Sequence, residues 1–404
     1  MTNAIKTNAI KRKKLFLFGA ALVFILFFSG CGKNRTARPP SGNAAAGNGS
    51  IPKTEIKYAK NFAVEYLPDQ VKLLTDSDGN KRLLVPRGKE APPGYEGVQV
   101  IPTPINRALY TATPQVGFID ALAKALGEAR GDDSLFGSIA GVTSSREEWV
   151  IPQILDGLEK GTIEYIAQDH RTAANIETVV SLSPDIVFTG GLEESQVLLR
   201  AMLDEAGIPY VTVTNWTEPD NSAGLEWLKF FAAFYNLDEL ADDLFETKLA
   251  RIEELSKITS GIPDAERPAA AFALVYDGIV YTQGGQSTTA QELYRAGGLY
   301  VFRNIPGKAG ISLGMEEFIN LARDADVLIY TSLPAYCPDK RALLDIDPLL
   351  GELKAFKEDR VFILDRGYYM NSAGADEKFL DTVFMLHPEL MGGYTLKNYL
   401  RLPD

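Results

Sequence analysis

A regular hydrophobic pattern near the middle of the chain predicts a long helical segment. Between residues 223 and 258, apolar residues recur three or four positions apart, which places them along one face of a helix. The pattern breaks briefly at Asn236 and stops at Gly261, a residue type that often follows the end of a helix. About twenty residues of unbroken helix span roughly 30 Å, the diameter of a small domain. Residues 221–260 are therefore predicted to be a connecting strut, and two ordinary packing helices inside one domain are the alternative.

Short apolar runs alternate with amphipathic runs on both sides of this segment. The runs at 138–142, 185–189 and 327–331 have the length and the β-branched content of buried strands. Strands that alternate with helices favour parallel sheets with helical crossovers. We therefore predict the α/β fold class, with two Rossmann-like lobes at residues 61–220 and 261–404. The long helical strut joins these lobes, and a ligand cleft lies between them.

The start of the chain is typical of an export signal followed by a tether. Residues 1–30 contain a basic stretch and then an apolar run that is short for a membrane span. Small residues directly before Cys31 resemble the bacterial lipobox, so we expect cleavage before Cys31 and lipidation of its thiol. A plain signal peptide or an uncleaved anchor is the alternative. Residues 31–60 are rich in Gly, Ala, Asn and Pro, which indicates a flexible tether. Turn residues 76–80 then predict a β-hairpin at the start of the first lobe.

Composition and charge narrow the possible partners. The chain has 404 residues, of which 46% are hydrophobic and 23% charged, as in a globular protein with room for two cores. Its net charge is −12. Residues 1–30 carry five basic and no acidic side chains, so beyond them 36 basic residues face 53 acidic ones. An acidic body repels phosphate backbones, which argues against a nucleic-acid partner. Cys337 is the second and last cysteine, so no internal disulfide is expected once Cys31 carries lipid.

Several short motifs, taken in order, resemble one family of transport proteins. The motifs lie at residues 141–143, 175–187, 206–209, 297–302, 324–329 and 359–363. The resemblance covers roughly residues 105–390. It is to the substrate-binding proteins of bacterial ABC importers, in the rigid-helix class that binds iron–siderophore chelates, haem or cobalamin. The chain departs from the family pattern in its N-terminal hairpin and in the paired helices of its strut.

The resemblance implies a receptor that has no enzymatic activity and no cofactor. Such a receptor is a monomer that captures a ferric-siderophore-type iron chelate and delivers it to the transmembrane permease of an ABC importer. Cobalamin or haem is the alternative ligand. The protein would work in the cell envelope as a membrane-anchored lipoprotein, on the periplasmic or the extracellular face. A rigid strut implies a small hinge motion, so the permease would drive release.

Candidate ligand-binding residues lie in loops that follow the carboxyl ends of the predicted strands, where α/β proteins bind ligands. Aromatic faces suit a large, partly apolar chelate, and arginines pair with carboxylate or catecholate oxygens. The candidates are Arg146, Trp149, His170, Arg171, Tyr281, Arg303, Tyr336, Tyr368, Tyr369 and Asn371. By motif, Tyr281 and the Tyr368–Tyr369 pair match aromatic ligand-contact positions of the family, and Arg171 takes a place that is usually aromatic. Rim tyrosines and solvated arginines are the alternative.

Three acidic residues are candidates for a different contact. In the family, one exposed glutamate on each lobe docks onto arginines of the permease. Glu177 matches this position in the first lobe, and either Glu316 or Glu317 matches it in the second. The alternative is that they are solvated carboxylates at helix starts, where the helix dipole favours negative charge.

Two further kinds of chemistry receive little support from the sequence. A side-chain site for a soft or borderline metal needs several His or Cys ligands, and the chain has only His170 and His387, so no metal site is expected. His387, at a predicted helix end, is expected to be structural. Residues 310–314 match the G-x-S-x-G pattern of hydrolases, which makes an esterase that uses Ser312 a remote alternative. The residues before Ser312 include Pro and Gly and do not predict the central strand that this motif requires.

Overall fold

The structure is a computed structural model that describes residues 54–130, 134–167, 172, 174–191 and 193–404. The described residues form three β-sheets and twelve α-helices. None of these helices is long and apolar enough to cross a membrane. The predicted signal and Cys31 lie outside the described residues.

A small four-stranded sheet comes first. Its strands are β1 (Ala63–Tyr66), β2 (Lys72–Thr75), β3 (Lys81–Pro86) and β4 (Gln99–Thr103). The predicted hairpin is confirmed, because β2 and β3 pair antiparallel across the turn at residues 76–80. The sequence did not predict β4, which pairs parallel to β3 at the edge of the sheet. Pro102 lies in β4, and an edge strand is where a sheet tolerates proline.

The first lobe is a five-stranded parallel sheet in the order β7-β6-β5-β8-β9. Its elements are β5 (Ala108–Tyr110), α1 (Thr113–Arg130), β6 (Ile139–Thr143), α2 (Pro152–Lys160), β7 (Glu164–Ala167), α3 (Ile176–Leu182), β8 (Ile186–Thr189), α4 (Glu194–Ala206) and β9 (Tyr210–Thr212). Most of these elements match the predicted alternation. The sequence did not predict α2 or β7.

Three helices form the connection between the lobes. They are α5 (Asn221–Leu225), α6 (Trp227–Ala233) and α7 (Asp238–Ser260). The predicted break is confirmed at Asn236, whose φ of 55° is left-handed and ends the helical path. Every residue of α6 is buried, and α7 has 23 residues, a length of about 34 Å. The predicted strut is thus one long helix preceded by two short ones.

The second lobe has a mixed sheet in the order β13-β11-β10-β14-β15-β16, with β12 paired to β10. Its elements are β10 (Ala269–Tyr276), β11 (Ile279–Gln283), α8 (Thr288–Arg295), β12 (Leu299–Tyr300), β13 (Gly310–Gly314), α9 (Met315–Ala322), β14 (Val327–Tyr330), α10 (Lys340–Ile346), α11 (Lys354–Lys357), β15 (Val361–Leu364), α12 (Ala375–Leu386) and β16 (Tyr399–Arg401). The central strands β10, β14 and β15 run parallel, whereas β11, β13 and β16 each pair antiparallel with the strand before them in this order, counted outward from the centre. The two-lobed α/β class predicted from the sequence is confirmed.

The two lobes touch each other directly as well as through the strut. Gly117 of α1 lies against the loop after β15, where an added Cβ would stand 1.8 Å from the carbonyl oxygen of Met370. Only glycine permits this approach. Fully buried Asp376, in the first turn of α12, pairs with Lys248 and Arg251 of the strut at 2.9 and 2.7 Å. These contacts hold the cleft side of the second lobe against α1 and α7.

Candidate functional site

A cavity of about 420 Å³ lies where the ends of strands from both lobes meet. The loop after β6 supplies one wall and the loop after β15 supplies the other. Its lining residues are Arg146, Glu147, Trp149, Val150, Leu155 and Arg366. Arg366 also donates a hydrogen bond to the Glu147 carbonyl oxygen at 2.8 Å, which joins the two walls. The volume lies within the roughly 300–1,000 Å³ that is usual for small-molecule sites.

The first-lobe wall is held in place by its own backbone. Trp149 is only 2% exposed, and its indole N–H donates to the Ser144 carbonyl oxygen at 3.3 Å. Ser144 has a left-handed φ of 80°, which turns the chain away from the direction of β6. After this turn the Trp149 indole reaches the Ser144 carbonyl oxygen. Trp149 therefore forms a fixed apolar part of the wall.

Arg146 is the exposed, charged part of the same wall. Its guanidinium pairs with Glu159 at 3.0 Å, and both side chains are more than half exposed. Solvent-exposed ion pairs contribute little to stability, so Arg146 can exchange Glu159 for an anionic ligand at small cost. Two arginines beside an indole and aliphatic side chains can bind a ligand that is partly apolar and carries anionic oxygens.

Tyr336 lies in the loop after β14. It is 46% exposed, and its pKa is raised by partial burial and then by the Glu148 carboxylate. Tyr336 is not among the residues that line the cavity.

Tyr368 and Tyr369 form a second aromatic group, two and three residues beyond Arg366. Their rings meet edge to face, with centroids 5.4 Å apart. Tyr369 is 47% exposed. Tyr368 is half-buried and accepts a hydrogen bond from the Tyr399 hydroxyl at 3.3 Å, and burial raises the pKa of Tyr368 to about 12. Of this pair, Tyr369 is thus the ring that is open to a ligand.

None of the remaining described candidates is among the residues that line the cavity. The amide of Asn371 donates to Glu377 and to Asn398, both at 2.8 Å, so this side chain holds the loop after β15 in shape. Tyr281 lies in β11, opposite Ser312, and Arg303 donates to the Tyr300 carbonyl oxygen. Neither Tyr281 nor Arg303 lines the cavity. His170 and Arg171 lie outside the described residues.

Sequence reasoning missed Arg366, which closes the cavity from the second lobe. The signal was present, because Arg366 stands in the loop directly after the buried strand β15. The prediction selected the tyrosines that follow this position and not the arginine itself. Arginine at the carboxyl end of a parallel strand is a candidate ligand contact for the same reason as Arg146.

The hydrolase alternative is not supported by the geometry around Ser312. A nucleophile elbow places its serine on a sharp turn between a strand and a helix. Ser312 instead lies in the middle of β13, an exposed edge strand, and its backbone pairs with Tyr281. The sequence did not predict this strand, in which Gly310–Gly314 pairs with β11 for its whole length.

His387 follows the end of α12 and is buried, as expected for a structural histidine. It is 5% exposed, with Nε2 3.0 Å from the Gly297 carbonyl oxygen and Nδ1 3.3 Å from Glu389. In the part of the chain that the structure describes, no group of three His, Cys, Asp or Glu side chains could hold a metal ion.

The three acidic docking candidates are on the surface. Glu177 is exposed in the first turn of α3, whose N-cap residue Asn175 accepts hydrogen bonds from the Glu177 and Thr178 amides. Glu316 and Glu317 are exposed in the first turn of α9. Each lobe therefore presents carboxylates at a helix start, and none of the three is among the residues that line the cavity.

Two α/β lobes, a long connecting helix and a cavity between the strand ends define the class of two-lobed solute-binding proteins. The chain belongs to the periplasmic binding protein family, whose model matches residues 138–368. An uncharacterized lipoprotein of Methanocaldococcus jannaschii is 24% identical to it over 96% of both chains.

Solved structures share the same fold. A possible iron-binding, periplasmic solute-binding protein of Staphylococcus epidermidis superposes with a TM-score of 0.52 at 14% identity, over 70% of this chain and 99% of that one. A periplasmic haem-binding protein of Pseudomonas aeruginosa gives a TM-score of 0.51 at 16% identity, over 73% and 95% of the two chains. At these identities the likeness concerns the fold.

Proposed function

We propose that this protein is the substrate-binding lipoprotein of an ABC importer, and that it captures a ferric-siderophore-type iron chelate and delivers it to the permease. The observation that carries the proposal is the cavity between the lobes, in which Arg146 and Arg366 flank the apolar surface of Trp149. A ferric chelate offers both surfaces that this cavity complements, anionic oxygens around the metal and an organic backbone. Membership of the periplasmic binding protein family supports capture and delivery rather than turnover.

Haem is the second candidate ligand. Its flat apolar ring would face Trp149, Val150 and Leu155, and its two carboxylates would meet the arginines. The structural similarity to a haem-binding protein of Pseudomonas aeruginosa favours testing it beside the siderophores. Cobalamin remains the third ligand class, and it differs from both in having little net charge.

The ligand class can be tested by fluorescence titration of the full-length protein in detergent. Because Trp149 lies in the cavity wall, an iron chelate or haem should quench its emission. We expect one of ferric siderophore, haem or cobalamin to bind with a sub-micromolar midpoint, which corresponds to about 8 kcal/mol or more. Arg146→Ala should weaken an anionic ligand about tenfold, since a charge-assisted contact is lost.

Arg341→Ala is the matched control, because this exposed arginine of α10 is not among the residues that line the cavity and should leave the midpoint unchanged. If none of the three ligand classes binds the wild-type protein, the assignment to iron chelates and macrocycles is wrong. If Arg146→Ala and Arg341→Ala behave alike, the cavity is not where the ligand lies.

The lipid anchor gives a separate prediction. Cys31→Ser should move the protein from the membrane fraction to the soluble fraction, because the thiol that would carry the lipid is gone. The lipoprotein relative in Methanocaldococcus jannaschii supports this anchor. Fractionation followed by immunoblotting measures the outcome. A mutant that stays in the membrane as fully as the wild type would mean that the apolar run of residues 15–28 is itself the anchor.

A further inference from the structure

A second cavity, of about 200 Å³, lies in the second lobe and shares no lining residue with the cavity between the lobes. It is formed by the start of β15, by β16 and by the end of α12. The residues that line it include Glu358, Arg360, Phe362, Phe384, Met385 and Arg401. The proposed function uses none of them.

The second cavity lies at the opposite end of the strands from the cavity between the lobes. The cavity between the lobes is at the carboxyl end of β15, where Arg366 follows the strand. Arg360 instead directly precedes β15, and Phe362 is the second residue of that strand. Strand β16 runs antiparallel to β15, and its register sets Arg401 opposite Phe362. A molecule bound in the second cavity therefore does not compete for space with a ligand held between the lobes.

The buried part of the second cavity's lining is apolar. Phe362 and Met385 are buried, and half-buried Phe384 has its ring centroid 5.6 Å from that of Tyr394. Aromatic rings and a methionine side chain favour a flat apolar group in contact with them. Sites for drug-sized ligands occupy roughly 300–1,000 Å³, so the smaller volume here suits a ligand of about one ring.

Two guanidinium groups form the charged part of the same lining. Arg360 is held at the end of α12, because its Nη2 donates to the carbonyl oxygens of Met385 at 2.7 Å and Leu386 at 3.5 Å. Its Nε and Nη1 carry further N–H donors. The Arg401 guanidinium carbon lies 5.7 Å from the Phe362 ring centroid. Within the described residues, the Arg401 guanidinium makes no hydrogen bond or ion pair, so its donors are available to a bound anion.

The charged side chains that line the second cavity leave it with a net positive charge. Arg360 and Arg401 are cations, and Glu358 is the one acid among the lining residues, so the net charge is +1. Asp359, the next acid along the chain, pairs with Lys340 and is not among the lining residues. A ligand with a single negative charge would therefore neutralise the cavity.

We propose that the second cavity binds a small organic carboxylate, with the carboxylate on Arg360 and Arg401 and a flat apolar body on the buried part of the lining. A guanidinium presents paired N–H groups that match the two oxygens of a carboxylate. The net charge of the lining favours a monocarboxylate over a dicarboxylate. This site goes beyond the proposed function and does not depend on it.

The test follows 4-fluorobenzoate by fluorine NMR in the presence of the full-length protein in detergent, with detergent alone as the background. Binding should broaden the fluorine signal saturably, with a midpoint on the order of 1 mM. Two further probes separate the charge from the ring. 4-Fluorobenzamide keeps the ring without the charge, and fluoroacetate keeps the charge without the ring. Each should bind at least about fivefold more weakly than 4-fluorobenzoate.

Two substitutions at the second cavity should shift the affinity for 4-fluorobenzoate in opposite directions. Arg401→Gln should weaken binding about tenfold, since a charge-assisted contact is lost. Glu358→Gln should strengthen binding about threefold, because a negative charge near the carboxylate is removed. Both side chains are exposed, so both variants should keep the wild-type melting temperature. A folding defect does not produce a gain in affinity, so Glu358→Gln decides the question if Arg401→Gln fails to fold.

Two control variants locate the bound probe. Arg107→Gln removes an exposed arginine of the first lobe that, like Arg360, donates to a carbonyl oxygen at a helix end, that of Leu182 at 2.7 Å. Arg146→Ala removes an arginine of the cavity between the lobes. Both should bind 4-fluorobenzoate as the wild type does. Weaker binding by Arg146→Ala with unchanged binding by Arg401→Gln would place the probe between the lobes and overturn the second site.

Three other outcomes also overturn the second site. They are no saturable binding of 4-fluorobenzoate, equal binding of 4-fluorobenzamide, and wild-type affinity in both Arg401→Gln and Glu358→Gln. Each of them leaves the proposed function standing, because that function is tested with ferric siderophores, haem and cobalamin. A protein that binds none of those three ligand classes loses the proposed function and keeps the second site if 4-fluorobenzoate binds as described.

Discussion

Replacing Glu226 with alanine is expected to cost about 3–5 kcal/mol of stability, the usual range for breaking a buried charge pair. Glu226 lies between α5 and α6 of the connection and is fully buried. Its carboxylate accepts hydrogen bonds from the backbone amides of Lys57, Tyr58 and Ala59 at 2.7–2.9 Å. It also lies 3.2 Å from the buried ammonium of Lys229. Alanine would leave the three backbone amides without their acceptor and the Lys229 ammonium without one of its carboxylate partners.

Thermal unfolding followed by circular dichroism measures this effect, and we expect the melting temperature to fall by about 5–10 °C. Glu226→Gln should lie between alanine and wild type, because the amide keeps one acceptor oxygen but brings a donor towards three other donors. Glu246→Ala is the control. Its partner is the exposed side chain of Lys57, so the melting temperature should not change measurably. A melting temperature for Glu226→Ala within one degree of wild type would contradict this reading of the contact.

This contact also shows where the tether enters the body. Glu218 repeats the arrangement by accepting from the amides of Lys60 and Asn61 and from the Trp227 indole. Two buried carboxylates thus fix residues 57–61 against the start of the strut. No periodicity in residues 57–61 predicts this, since the contacts are made by backbone amides to side chains more than 150 positions away. The sequence therefore indicated a tether up to residue 60, whereas the described chain is already fixed at residue 57.

Elements with a strong apolar pattern were predictable nearly to the residue. The helix predicted at 315–322 is α9, and the strand predicted at 185–189 is β8 with one residue fewer. In both cases burial of a whole strand or of one helix face dictates the residue types. Local sequence and tertiary environment require the same pattern there, and the prediction succeeds.

Short edge strands could not be predicted in this way. β13 contains two glycines and buries only Leu313, and β16 has three residues with only Tyr399 buried. Such segments become strands because a neighbouring strand pairs with them, and their own side chains contribute little. The hydrolase-like motif around Ser312 falls in one of these strands.

The cavity was partly predictable for a related reason. Arg146 and Trp149 follow a recognisable buried strand, and the rule that ligands bind beyond strand ends selects them. The hydrogen bond from Arg366 to the Glu147 carbonyl oxygen, which joins the two walls, connects residues 219 positions apart, and such a contact has no signature in the local sequence.

The largest effect on transport is expected from reversing the charge of the docking candidates. Glu177→Arg should abolish import while ligand affinity stays nearly unchanged. The reason is that Glu177 is exposed at the start of α3, apart from the cavity, and would meet positive charge on the permease. Opposed like charges at an interface cost several kcal/mol and suppress docking. Uptake of labelled ligand into proteoliposomes with the permease, together with the fluorescence midpoint, measures both quantities.

On the second lobe, the same experiment distinguishes between the two docking candidates Glu316 and Glu317. Glu316→Arg and Glu317→Arg, made separately, should identify the docking carboxylate, because only the one that faces the permease should lose import as Glu177→Arg does. Glu253→Arg, on the exposed side of the strut, supplies the control for a general change of charge and should transport normally. Normal import by Glu177→Arg would mean that Glu177 does not dock onto the permease. Loss of ligand binding in any of these variants would instead place that carboxylate beside the cleft.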